Sequence, residues 1–308
     1  MEQSLVQAAL VVLVAPRPAS AQFDITGSYN TLLHEDQPER IPGPALGDYL
    51  GLPINDYARA FAEAWDPSRL TVPEHQCQVY NVAHIFRGPL QFRAWNERDP
   101  DSQEVVSLKM YLGTYEQWRT IWMDGRPHPS EYAEHTWMGF STGQWQGNML
   151  VVTTTHIKKG WLRRNGVPES DLATLTEYFV RTGDVLTRIS AITDPVYLTE
   201  PFAKVQILGR FTRDPNGWLY ACDDGEQILD KTADRVPGHL FGQNPFLREY
   251  SQVRGVPLLG ALGGPETTRP EFFAKIKNAT DAEAMAKVMP SNSPRESSKA
   301  KDPNPNDG

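Results

Sequence analysis

From Leu90 onward, apolar and polar residues alternate in short runs rather than recurring at helical spacing. Nine segments of strand length follow: LQFRAW, EVVSLKMYL, QWRTIW, TWMGFST, MLVVTTTH, TLTEYFVR, VLTRISAIT, FAKVQILGRF and GWLYAC. All are rich in β-branched and aromatic residues and are separated by turn chemistry. FDITGSYN (Phe23 to Asn30) reads as an opening strand. The clearest helix is NDYARAFAEAWDP, spanning residues 55–66. Asn55 can cap it, Tyr57, Ala58, Phe61 and Trp65 recur at helical spacing, and Asp66-Pro67 ends it. HQCQVYNVAHIFRGP (His75 to Pro89) reads as a second short helix or an irregular wall.

Periodicity fades between Asp223 and about Thr267, where GHLFGQNPFLREYSQ looks like a loop leading into a short helix. Pro270 to Val288 is an Ala-rich helix candidate, and residues 289–308 are disordered by composition. The division is therefore a β domain over 22–267, a C-terminal helix within 268–288 and a tail. Many strands and few helices predict a mainly β fold, an antiparallel barrel. Closure leaves no exposed edges, and the interior can hold a small molecule. A two-sheet sandwich is the alternative.

Two turns sharpen this. QWQGN (Gln144 to Asn148) joins segments that can pair as a hairpin, and Gly183-Asp184 suits a two-residue type II′ turn. If it is one, Thr182 faces Val185, Glu177 faces Ser190, Phe179 faces Arg188 and Leu175 faces Ile192. Glu177 and Arg188 then become diagonal neighbours on a face shared with Leu175, Phe179 and Ile192. A buried carboxylate needs a partner, and Arg188 is the expected one; the pair reads either as a structural ion pair without chemistry or as an acid–base or ligand-orienting pair inside the barrel.

Composition narrows the compartment and the partner. Forty per cent of the 308 residues are apolar, enough for a large core, and 25 Pro and 23 Gly favour many turns. A net charge of −8 argues against nucleic acid. Residues 1–21 look like an export signal: an apolar run from Leu5 to Ala15 followed by Ala19-Ser20-Ala21, although the start carries Glu2 where a cation is usual. No later run is long and apolar enough for a transmembrane helix. A soluble periplasmic or secreted protein is expected. In that compartment Cys77 and Cys222 suggest one disulfide, closing a loop of roughly 145 residues worth about 4–5 kcal/mol, with two separate buried thiols as the alternative.

The stretches AWDP, WMDGRPHP, TWMGFSTGQWQGNMLVV, TTTHIKKGWLRRNGVP, LTEYF, DPVYLTEP and NPFLREY resemble those of a large group of exported bacterial proteins of no assigned function. The likeness covers Phe23 to Lys275. It implies a lipocalin-type barrel and carries no activity. Many members read Glu-Gly-Asp where this chain has Gln146-Gly147-Asn148, so no role resting on those two acids applies here.

GFSTG (Gly139 to Gly143) matches a nucleophile elbow, but a further strand follows where the elbow needs a helix, which places Ser141 in a strand. Asp124, Gly125, Arg126, Pro127, His128 and Pro129 form a tight turn stiffened by proline, able to present Arg126 and His128 from a rigid loop or to serve only as a connector. No HxH, HExxH or CxxC occurs, so no metal site is expected; His128 and His135 with Asp124 or His156 are the alternative three-ligand set. His156 shares the parity of Leu150, Val152 and Thr154 and precedes Lys158, Lys159, Arg163 and Arg164; beside cations it would stay neutral, as a general base must. Trp122, Trp137 and Trp161 are core residues in most β proteins or walls of a pocket.

The residues from Trp122 to Trp145 are expected at one mouth of the barrel. The first reading is a cofactor-free acid–base enzyme, a lyase, isomerase or hydrolase, acting on a small apolar or aromatic molecule. Asp124, His135, His156 and Glu177 would titrate, and Trp122, Arg126, His128, Trp137, Lys158, Trp161 and Arg188 would hold the ligand. The alternatives are a non-catalytic carrier and an envelope protein with a filled barrel.

Overall fold

A computed structural model describes residues 24–32, 43–71, 78–87, 91–211 and 237–286. The export segment, GWLYAC, Cys77, Cys222 and the tail lie outside the described residues. Nine strands close into a barrel: β1 (Gly27–Thr31), β2 (Gln91–Arg98), β3 (Val105–Leu112), β4 (Gln117–Trp122), β5 (Phe140–Gln146), β6 (Met149–Thr155), β9 (Thr174–Thr182), β10 (Val185–Thr193) and β11 (Phe202–Phe211). Between β6 and β9 a small separate hairpin joins β7 (Gly160–Trp161) to β8 (Pro168–Glu169). Around the barrel the order is β1, β11, β10, β9, β6, β5, β4, β3, β2, with β1 bonded to both β11 and β2. Closure excludes the two-sheet sandwich.

The register predicted from Gly183-Asp184 is the one observed. Thr182 faces Val185, Phe179 faces Arg188, Glu177 faces Ser190 and Leu175 faces Ile192. Gly183 has φ +59° while Asp184 is not in the left-handed region, as a type II′ turn requires. No atom stands within 4 Å of where a Cβ on Gly183 would sit, so Gly183→Ala isolates the backbone cost. It should lower stability by about 1–2 kcal/mol; a urea midpoint equal to wild type would contradict this turn. Gln146 faces Met149 across the second hairpin, as expected.

One neighbour pair departs from the antiparallel expectation. β4 and β5 are parallel, Ile121 facing Ser141 and Trp122 facing Thr142. Parallel neighbours need a crossover. The chain from Met123 to Gly139 therefore runs back along the barrel as an outer strap without regular structure. TWMGFST is correspondingly not a strand from its start. β5 begins at Phe140, and Thr136 makes only an isolated bridge to Ile157. Gly139 has φ +64°, and a Cβ there would meet Thr154 Cγ2 and Thr155 O, both at 2.6 Å. Only glycine lets the strap turn so close to β6.

Helix α1 (Asp56–Glu63) begins where expected, with the Asn55 side chain accepting from the Ala58 amide at 2.9 Å. Its buried Arg59 donates to the carbonyls of Leu262 and Gly263 at 2.8 and 3.0 Å, tying the C-terminal segment to the barrel. The helix read over Pro270 to Val288 is two short ones, Phe273–Asn278 and Asp281–Ala286. Thr280 breaks it: the Glu283 carboxylate accepts from the Thr280 amide and hydroxyl, a local cap that restarts the helix. The segment around Ile85–Arg87 is a 3-10 turn lying across the barrel end opposite the Gly183 turn. There Phe86 packs edge-on to Phe92 at 5.8 Å.

Candidate functional site

Three places concentrate the predicted residues. The first is the barrel interior. Strand alternation turns Glu177 and Arg188 inward, and both are fully buried. Arg188 Nε donates to Glu177 Oε1 at 2.7 Å. A second guanidinium shares the same carboxylate. Arg119 Nη1 reaches Oε1 at 3.1 Å, and Nη2 closes on Oε2. Ser141 and Thr154 complete the shell, with Thr154 Oγ1 3.0 Å from Arg119 Nη2. Phe86 stacks on the Arg188 guanidinium, whose carbon lies 4.2 Å from the ring centre. Burial alone would raise the Glu177 carboxyl, but the two cations outweigh it and hold it below the usual carboxylate range. A carboxylate clamped this way has no proton to give and no route to a ligand. Glu177 is a structural anion.

Arg119, Ser141, Thr154 and Gln206, whose Oε1 accepts from Arg188 Nη1 at 2.5 Å, are members of this cluster that sequence reasoning missed. In QWRTIW the tryptophans suggest the buried face, which puts Arg119 outside. The reverse holds: Gln117, Arg119 and Ile121 are buried, and Trp118 is 64 % exposed. Nothing in the local pattern marks Arg119, because the Glu177–Arg188 pair is already neutral without it.

The second place is the outer strap, which collects most of the remaining candidates. They line the outer wall, not a mouth. Asp124 and Arg126 pair with each other near the surface, and that bond holds the Asp124 carboxyl below its ordinary range. The Arg126 guanidinium carbon sits over Trp122, 3.4 Å from the ring centre. His128 bridges Thr142 Oγ1 at 2.9 Å and Thr155 Oγ1 at 2.7 Å. His156 does not continue the inward face of β6; a left-handed φ of +56° turns it out. Its Nδ1 meets Thr155 Oγ1 at 2.7 Å and its Nε2 meets Ser130 O at 2.8 Å.

One placement of hydrogens satisfies this whole chain. Thr142 donates to His128, His128 to Thr155, Thr155 to His156, and His156 to the Ser130 carbonyl. Burial lowers the His128 pKa, in keeping with a neutral ring at that position. His135 packs 5.2 Å from His156 and bonds Ile157 O at 3.1 Å. The histidines thus fasten the strap to β5 and β6. Lys158 sits over Trp137, and Trp161 packs edge-on to Trp65 beside α1. The expected acid–base group is not assembled: Glu177 is inside the wall, and Asp124, His135 and His156 are outside it. Among the described residues no cluster of three or more His, Asp or Glu could hold a metal.

The third place is the mouth on the Gly183 side. A cavity of about 620 Å³ opens there. Ile25, Leu108 and Leu150 form its floor, with Met123 and Trp145 as apolar walls. Its rim is polar, carrying Asp24, Asn96, Arg98 and Glu104. Leu150 faces Phe179 one inward step nearer this mouth than Val152 and Glu177, so hydrocarbon separates the cavity from the ion cluster. Trp145 is the one ring from the Trp122 to Trp145 stretch among its lining residues.

Comparison with family models, with curated proteins and with solved structures finds no match. The fold and site define a closed, mainly β barrel with an ionic interior and, at one mouth, a cup lined by both apolar and polar side chains. No helix among the described residues is long and apolar enough to cross a membrane.

Proposed function

We propose that this chain is an exported, lipocalin-like binding protein that takes a small amphipathic molecule into the barrel mouth. The apolar or aromatic end rests on Leu108 and Leu150, and the polar end meets the rim. The observation that carries the reading is the cup itself. Its volume of about 620 Å³ lies within the roughly 300–1,000 Å³ of small-ligand pockets. An apolar floor under a ring of polar side chains suits a ligand with two unlike ends. Binding rather than catalysis is favoured because Glu177, the buried acid beneath the cup floor, is neutralised by two arginines. Export rests on the apolar leader read over residues 1–21.

The test uses N-phenyl-1-naphthylamine, a neutral aromatic probe. Saturable one-to-one binding with quenching of tryptophan fluorescence is expected. Trp145→Ala should weaken it at least tenfold, and Trp118→Ala, on the outer wall, should leave it unchanged. Equal affinity in wild type and Trp145→Ala, or no saturable binding, would refute the reading.

A further inference from the structure

The outer face of β2, β3 and β4 carries an open groove of about 680 Å³, remote in role from the mouth cup and lined by Arg93, Trp95, Tyr111, Glu116 and Trp118. Register builds it. Arg93, Tyr111 and Trp118 are direct cross-strand neighbours, and Trp95 lies diagonal to Tyr111. A tryptophan 64 % exposed beside two further rings is costly to leave in water without a use.

We propose that this groove is a carbohydrate-binding site that holds a short segment of a neutral glycan. Ring geometry favours that class. Trp95 meets Trp118 at 87° with centres 5.7 Å apart, and Tyr111 meets Trp118 at 55° and 5.0 Å. No two rings are parallel, so there is no slot for a flat aromatic. The rings form a stepped platform instead. The C–H faces of pyranose rings pack on such electron-rich faces.

The polar groups agree. Arg93 and Glu116 flank the platform with opposite charges that cancel, and neither is in an ion pair among the described residues. Balanced charges select no ion, whereas a five-donor guanidinium, a carboxylate and the Tyr111 phenol together match vicinal hydroxyls that both donate and accept. Glu116 is held there at some cost. Tyr115 and Glu116 are consecutive non-glycine residues in the left-handed region, with φ of +57° and +51°. Such strain persists where surrounding contacts fix it. Tyr115 packs on Tyr80 at 5.4 Å, and the next residue is thereby aimed at the groove.

The experiment is affinity electrophoresis of the full chain through gels containing hydroxyethylcellulose or dextran, with sedimentation velocity in parallel. Retardation by one of these glucans is expected, weakened at least tenfold in both Trp118→Ala and Trp95→Ala. The Trp145→Ala variant should be retarded like wild type. Matching circular dichroism and melting temperature for Trp118→Ala would show that an exposed side chain, not the fold, was lost. Absence of retardation by both glucans would overturn the proposal. So would equal retardation of Trp118→Ala, or a concentration-dependent dimer that Trp118→Ala abolishes, which would make the groove a contact between copies of the chain.

Discussion

Glu177→Gln should destabilise the protein by about 3–5 kcal/mol, the cost of leaving a buried charge without its partner. Here the effect is compounded, because the amide leaves two guanidiniums facing each other with no anion between them. The triple variant Arg119→Met, Glu177→Leu, Arg188→Met should recover most or all of the loss, since replacing a whole buried ion cluster with hydrocarbon is often neutral or stabilising. Urea unfolding of the two variants checks both halves. The pH sign is set by the lowered Glu177 pKa: its contribution is complete above the ordinary carboxylate range and is lost as acid protonates the folded protein. A Glu177→Gln cost under about 1 kcal/mol, as expected of a solvated pair, would mean that water reaches the cluster.

Stability should also fall with rising pH between about 6.5 and 8, because of a second buried acid outside the barrel wall. Glu169 on β8 is fully buried. Asn81 Nδ2 donates to its Oε2 at 3.0 Å, and Oε1 has no partner among the described residues. Burial pushes this carboxyl from 4.5 up to about 8; the Asn81 bond opposes the rise and the Asp194 charge adds to it. The folded chain therefore keeps a proton that the unfolded chain releases. Its contribution is full below about 4.5 and is lost as pH rises toward 8.

The neighbouring His84 acts in the opposite sense. Burial, with Arg164 adding to it, lowers its imidazole from 6.5 to about 4, so stability from His84 is lost as pH falls through that window. Below 6.5 the two slopes oppose each other, and above it the His84 contribution no longer changes while that of Glu169 still does. At most about 1.4 kcal/mol per pH unit is at stake, hence on the order of 2 kcal/mol between pH 6.5 and 8. Glu169→Gln should flatten that slope and be the more stable protein at pH 8. Parallel urea curves for both proteins at pH 6.5, 7.25 and 8 decide it, and identical slopes would contradict the buried, protonated assignment.

The β9–β10 hairpin shows how much was legible. Gly183 determined a turn type, the turn determined a register, and period-two alternation put Glu177 and Arg188 on one face. The start of helix α1 was equally readable from its Asn55 cap, but the helix ends at Glu63, short of the Asp66-Pro67 stop the sequence suggested. Arg119 was not, because local pattern favours burying tryptophan, and only the closed barrel makes a second cation at Glu177 worth more than a buried ring. The parallel pairing of β4 with β5 was hidden for a related reason. Nothing within Trp122 to Trp145 states whether the chain doubles back or crosses over. That ambiguity moved Asp124, His128, His135 and His156 from a presumed mouth to an outer strap, and left only Met123 and Trp145 of that stretch lining the cup.

The central claim is that ligand enters only the mouth cup and stops above the ion-paired interior. Two methionines report on it. Met123 lines the cup, and Met110 is fully buried inside the barrel. With ¹³C-labelled methionine methyls, titration of N-phenyl-1-naphthylamine should shift the Met123 signal saturably and leave Met110 in place. A shift of Met110 equal to or larger than that of Met123 would contradict the account, because it would mean that the ligand occupies the interior.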